Sequence, residues 1–428
     1  MNRRRLLYAC LAAWGFLGIT LALLTPWQPL GATGGVVRPD LHAVFNAGEI
    51  ARATSFRAAL GPWPYLGIAL ATAAPWGVLA FLSRPARRAR PRASSKVFHG
   101  VRRFALILAV VVGVAVLQWA VAAPASVHSE LVLRRFGLST QGWSAWLRDQ
   151  ALSVGMACAV TAVGIALALW LVRRAPVRWP CLLAAAAMLA TVLGSLVYPL
   201  VVEPAFNAHA PLAAGALRAR IEALAAVEGF PDIEIAVSNA SIRTTGENAH
   251  VSGFGATRWV VLDDTLVARA KTDPDAVLAV VAHEMGHVKH GDVLRGTSMG
   301  AVGVGAFVLL VAAVLTTTRG RRIFVPQAEG SGDLMRNVAL LLAIATTAPI
   351  AAAPVSNFVS RRIEARADVY ALQATDDAPA FIRMQHDLAT SNLSRLEPSW
   401  WQTMMFATHP DPVWRIAQAD AWQRSQQR

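Results

Sequence analysis

Seven stretches of this chain are apolar enough, and long enough, to cross a lipid bilayer, and nothing else restricts its fold as strongly. They lie at roughly 6–25, 64–82, 104–123, 150–172, 181–202, 297–317 and 337–359. A helical span needs about 20 mostly apolar residues. Backbone groups inside lipid must find their partners within their own segment, so such runs form helices. The expected fold is therefore a mainly α-helical polytopic membrane protein with about seven transmembrane helices. Composition agrees, with 55% hydrophobic and only 15% charged residues, far from a soluble globular average. The first run follows MNRRR. It has no small-x-small cleavage site and six more runs follow it, so it reads as a retained helix. The expected division is an N-terminal membrane domain with five spans (1–202) and a second domain (203–428). The second domain contains spans 297–317 and 337–359 and a polar C-terminal region.

The net charge of +14 does not point to nucleic acid, because the basic residues cluster in short loops such as RPARRARPR (84–92) between apolar runs. Such placement orients a protein in a membrane. Alternating the seven spans puts 18 Lys and Arg on one side in short loops and six on the other. This predicts a multi-pass protein of the cell membrane with a cytoplasmic N-terminus and outward-facing polar regions. Cys10, Cys158 and Cys181 all fall in predicted spans and form neither a disulfide framework nor a thiolate metal motif.

The segment between spans five and six is the more polar part. Residues 211–231 carry Leu217, Ile221 and Leu224 on one helical face, with Gly229 as a stop; 233–238 and 258–266 read as strands. A second helix follows in TDPDAVLAVVAHEMGHVKHG, with Asp273 as N-cap, Pro274 in the first turn and Gly291 as terminator.

This last helix carries the chemistry. His283 and His287 are four residues apart and share a face, so both can offer imidazole nitrogen to one ion, for which zinc is the usual choice. Glu284 points to the adjoining surface, where it can reach a metal-bound water without ligating: the H-E-x-x-H arrangement of a metallopeptidase. His290 is rotated away and is expected to sit solvated at the helix C-terminus, where the dipole favours positive charge. A third ligand must come from elsewhere. The best candidate is in SRRIEARADVY (360–370), where Glu364 and Asp368 are again four apart. Glu364 would complete a His2Glu site with an open position, and Asp368 would accept the N–H of a ligating histidine. On its own, this stretch also reads as an ordinary charged helix, with Arg361, Arg362 and Arg366 as partners.

An ordered series of motifs extends the reading: VFNAGEIARATSFR (44–57), RRFGLSTQGWSAWLRD (134–149), YPLVVEPAFN (198–207), ENAHVSGFG (247–255), AHEMGH, RRIEARAD, SNLS (391–394) and THPDPVWRI (408–416). In order and spacing the chain resembles the type 1 CAAX prenyl protease family of integral-membrane zinc metallopeptidases. The resemblance implies seven helices around a chamber, with a zincin-like catalytic region containing a small β-element. It implies one zinc ion on His283, His287 and Glu364, with Glu284 as general base and Asp368 one turn beyond the third ligand. Asn248 would bind the substrate backbone, while His409 and Arg415 would line the cleft and stabilise an oxyanion. The implied partners are a peptide or protein substrate, membrane-associated substrates included, and the lipid bilayer. Two other readings stay open: a heat-shock-type membrane quality-control metalloprotease, and a transporter or channel with a non-catalytic metal site.

Overall fold

The computed structural model describes residues 3–29, 36–84, 100–253, 258–326, 328 and 330–427. The basic loop that weighs most in the orientation count lies largely outside the described residues, as does the end of the 247–255 motif.

Among the described residues, seven helical segments are long and apolar enough to cross a membrane: Arg3–Leu24, Ala47–Leu82, Gly100–Arg135, Trp143–Arg174, Trp179–Phe206, Asp292–Leu315 and Ser331–Thr375. Each contains or nearly matches one of the seven apolar runs, and several continue well past it. A run of apolar residues marks only the lipid-facing length, whereas helical hydrogen bonding continues while any face remains packed. Within the second segment the chain turns at Gly61, whose φ of +54° suits a residue without a Cβ. The spans pack through Leu79, Ile107, Val111, Ile165, Leu169, Val338 and Leu342. Large apolar side chains such as Val160, Trp170 and Leu189 face outward, a pattern suited to lipid rather than water.

The polar region between the fifth and sixth spans forms a small four-stranded sheet: β1 His209–Pro211, β2 Glu234–Ser238, β3 Ala249–Ser252 and β4 Trp259–Asp263. Their order is β1-β2-β4-β3, with β2 and β4 parallel and the outer pairs antiparallel. The expected strand at 258–266 stops at Asp263, and Asp264–Arg269 is a short helix. The side chain of Asp264 bonds Ser241, which fixes that turn. β3 is an edge strand and packs on the helix Pro274–His290. That helix is seated in an apolar core with Val277, Val281, Met285, Val260, Leu262, Ile221 and Phe381. Each such fully buried side chain contributes about 1.5–3 kcal/mol. The helix is therefore a rigid platform.

Candidate metal centre and active site

The local code of Pro274–His290 is carried out residue by residue. The Asp273 side chain accepts the Ala276 N–H at 3.0 Å, Pro274 occupies the first turn, and Gly291 closes the helix in the left-handed region. His283 and His287 emerge on one face with their Nε2 atoms 3.2 Å apart.

The third member comes from the last span. Ser331–Thr375 is one continuous helix, so the apolar run and RRIEARAD are parts of a single rod. Close helix approach at Gly286 brings it in: a Cβ there would meet the Cα of Ala367 and the side chain of Tyr370, each at 3.2 Å. Glu364 Oε2 thus lies 3.2 Å from His283 Nε2, and Oε1 lies 3.7 Å from His287 Nε2. One ligand atom from each of His283, His287 and Glu364 falls within 4.8 Å of the others, a set that could hold a metal ion.

The outward nitrogens are fixed as well. His283 Nδ1 lies 2.9 Å from Asp368 Oδ1, and His287 Nδ1 lies 3.0 Å from Asp292 Oδ2. Carboxylates in these places leave each Nε2 free as an electron-pair donor. Asp368 is fully buried and also takes two bonds from Arg415, at 2.8 Å from Nε and 2.5 Å from Nη2. Asp292 is paired in turn with Arg366. The ring of carboxylates demands a cation. Burial opposes a charged His283, but Asp368 and Glu364 outweigh it and raise its pKa to about 10. Glu364 Oε2 is buried without a hydrogen bond of good geometry, the condition of a donor suited to a metal. The residues therefore fit a metal ion.

Glu284 is buried beside His283 and has no hydrogen-bond partner among the described residues. His409 reaches the same place from the C-terminal region, with Nε2 3.4 Å from Glu364 Oε2 and Nδ1 2.9 Å from the Thr408 hydroxyl. Asn248 is exposed at the start of β3, and its carbonyl accepts the Asp263 N–H at 3.0 Å. Asn392 pins the preceding residue, accepting the Glu247 N–H and donating to the Glu247 carbonyl, both at 3.0 Å. Asn248, His409 and Arg415 line one cavity of about 490 Å³.

His290 departs from its expected setting. Its Nδ1 donates to the Gly286 carbonyl at 2.8 Å, its ring packs on Tyr370, and burial lowers its pKa. It packs half-buried against Tyr370 and does not stand free in solvent. Asp292 was missed by sequence reasoning; it stands five residues after His287, just past the helix stop, where it reads as a first-turn acid of the next helix.

A sequence model of Peptidase family M48 matches residues 211–423, and one for the CAAX prenyl protease N-terminal region, described as five membrane helices, matches 72–208. The chain belongs to peptidase family M48. Among its relatives, the uncharacterized metalloprotease YhfN of Bacillus subtilis is 30% identical over 295 residues, 67% of this chain and 66% of YhfN. The CAAX prenyl protease 1 homolog of Arabidopsis thaliana is 28% identical over 313 residues, 69% of each chain. The alignments with these M48 relatives thus span about two thirds of their length. The crystal structure of S. mikatae Ste24p shares the fold, with a TM-score of 0.73 and 19% identity, covering 98% of this chain and 99% of that one. The chain is accordingly a membrane-embedded metallopeptidase of M48 with seven candidate spans.

Proposed function

We propose that this metallopeptidase is a zinc endopeptidase whose ion is held by His283, His287 and Glu364. The observation that carries the proposal is the convergence of these three donors, each histidine backed by its own carboxylate, beside a buried Glu284 that has no hydrogen-bond partner among the described residues. When bound, zinc supplies a Lewis acid that activates water and polarises the scissile carbonyl.

The chain's own residues do the rest. Glu284 takes the proton of the attacking water and delivers it to the leaving amine. Thr408 can donate its hydroxyl proton to His409 Nδ1, which leaves the proton on Nε2 directed at the cleft. That N–H is the donor for negative charge developing on the carbonyl oxygen. Arg415 is largely committed to Asp368, so its main work is positioning: it holds the carboxylate that orients His283. Asn248 opens the free edge of β3, along which an extended peptide can lie by strand addition.

The relatives named CAAX prenyl proteases support a peptide or protein substrate presented at a membrane, and the Lys and Arg count supports a cytoplasmic N-terminus. The test is Glu284→Gln in purified, zinc-loaded protein. Metal content stays at one ion per chain and peptide cleavage falls by a factor of about 10²–10⁴, the usual worth of a general base. Full activity in this variant would refute the assignment.

A further inference from the structure

Strand β3 has one free edge, and its hydrogen bonding fixes which residues face that edge. The Asp263 N–H donates to the Asn248 carbonyl at 3.0 Å, and the register continues with His250 opposite Val261 and Ser252 opposite Trp259. Antiparallel pairs alternate between bonded and unbonded positions, so Asn248, His250 and Ser252 turn their backbone groups inward to β4. Ala249 and Val251 therefore direct theirs at the free edge. A peptide laid antiparallel on that edge bonds to Ala249 and Val251. His250 then falls at the unbonded position, where facing Cα atoms are about 4.5 Å apart and side chains touch.

Successive side chains of a strand point to opposite faces. Those of Ala249 and Val251 pack into the core that holds the helix Pro274–His290. His250 and Ser252 lie on the other face, where Glu203 reaches them from the end of the fifth span. The Ser252 hydroxyl donates to Glu203 Oε1 at 2.7 Å, and His250 Nε2 lies 3.3 Å from the same oxygen. The Glu203 side chain is only 9% exposed, and its Oε2 is buried with no hydrogen-bond partner among the described residues. The His250 side chain is 39% exposed, so a peptide can reach it. Its Nε2 faces a carboxylate and carries a proton, which leaves Nδ1 of the singly protonated ring as an acceptor. The pair then has a single negative charge; a second proton brings it to zero, and in neither state is it positive. Asp263 adds another acid on this face, opposite Ser238. Arg243, which bonds Asn207 just before β1, is committed to Asp149. Acceptors and negative charge thus stand here without a matching cation.

We propose that His250, backed by Glu203, is a specificity-determining residue that selects lysine or arginine at the peptide position lying opposite it on β3. The ammonium or guanidinium donates to His250 Nδ1 and sits in the field of Glu203 and Asp263, a charge-assisted contact. The peptide residues paired with Ala249 and Val251 turn their side chains to the face of the metal-binding helix, so the selected side chain is on the face away from the metal. This inference rests on the metallopeptidase reading and on strand addition at β3.

The test uses peptides of one sequence in which a single residue, at each position flanking the cleaved bond in turn, is Lys, Gln, Leu or Glu. Cleavage is measured with the zinc-loaded wild type, and binding with zinc-loaded Glu284→Gln. At one position Lys should be favoured over Glu by about 10- to 100-fold, the usual worth of a hydrogen bond to a charged group, with the difference in KM rather than kcat. His250→Phe keeps a ring on the strand and loses the acceptor, so the Lys-to-Glu ratio at that position falls toward one while ratios elsewhere stay. Glu203→Gln keeps partners for Ser252 and His250 and loses the charge, so Lys is no longer preferred to Gln. Cleavage by the wild type with no Lys-selective position overturns the inference while leaving the peptidase reading intact, and needs no variant to fold. A Lys preference that survives in His250→Phe also overturns it. Lys-selective binding that depends on His250, without cleavage by the wild type, supports the subsite and sinks the peptidase reading instead.

Discussion

Gly286 and Ala367 bring two helices into backbone contact: a Cβ on Gly286 would stand 3.2 Å from the Cα of Ala367. Gly286 lies between the two histidines, and Ala367 lies between Glu364 and Asp368. The approach of these two small residues therefore sets the distance between the histidine pair and the carboxylates of the last span.

Gly286→Ala is the first consequence. The new methyl group meets backbone on one side and, on the other, Tyr370, whose hydroxyl is tied to Glu228 at 2.5 Å. Neither can move easily, so the helices must part. Overpacking of this kind costs about 1–3 kcal/mol. Thermal melting should fall accordingly, and zinc affinity, measured by competition with a chelator, should fall with it. Unchanged zinc affinity would mean that Glu364 is not positioned by this contact.

The two carboxylates behind the histidines should behave differently when neutralised. Asp292→Asn keeps an acceptor for His287 and should weaken zinc by about 10- to 100-fold, as loss of such a partner usually does; it also removes the charge that Arg366 faces, but Asp292 is less deeply buried than Asp368, so the loss of fold should be the smaller of the two. Asp368→Asn also leaves the guanidinium of Arg415 buried without its counter-charge, which costs about 3–5 kcal/mol. A chelator titration and a melting curve on each variant separate the effects. Equal melting losses would contradict the distinction.

Asp263 gives a pH-dependent prediction away from the metal. Burial pushes its pKa up to about 6, with Asp264 adding to the rise and His250 opposing it. The folded state therefore holds a proton that the unfolded chain gives up near pH 4. Stability contributed by the neutral carboxyl is present at low pH and is lost as pH rises through about 6. Asp263→Asn should raise the melting temperature at pH 8 and leave it unchanged near pH 4. A drop at pH 8 would show that the ionised carboxylate has a stabilising partner.

What could be read from residues alone follows physical lines. The seven spans announce themselves because lipid demands long apolar runs. The helix Pro274–His290 is equally plain, since its cap, proline and terminating glycine agree with its apolar face. Glu364 could be nominated by spacing, but only the three-dimensional structure shows that Ser331–Thr375 is unbroken and carries Glu364 and the span together. Strand β3 escaped notice because four residues, Ala249–Ser252, make no periodic signal among glycines and polar groups; their partner β4 specifies them. Asp292 escaped because nothing in its position past a helix stop distinguishes a histidine's partner from a first-turn acid. His290 was misjudged for a related reason: the dipole argument considers one helix, while Tyr370 on another decides the burial.

On the proposed reading, a membrane span delivers the third ligand, so the site exists only when the last span is docked. The most direct measurement is the zinc content of purified Glu364→Ala, determined together with its rate of peptide cleavage. Zinc should be lost on dialysis against a mild chelator that wild type withstands, and cleavage should disappear with it. A Glu364→Ala protein that keeps one zinc ion per chain and cleaves at the wild-type rate would contradict it.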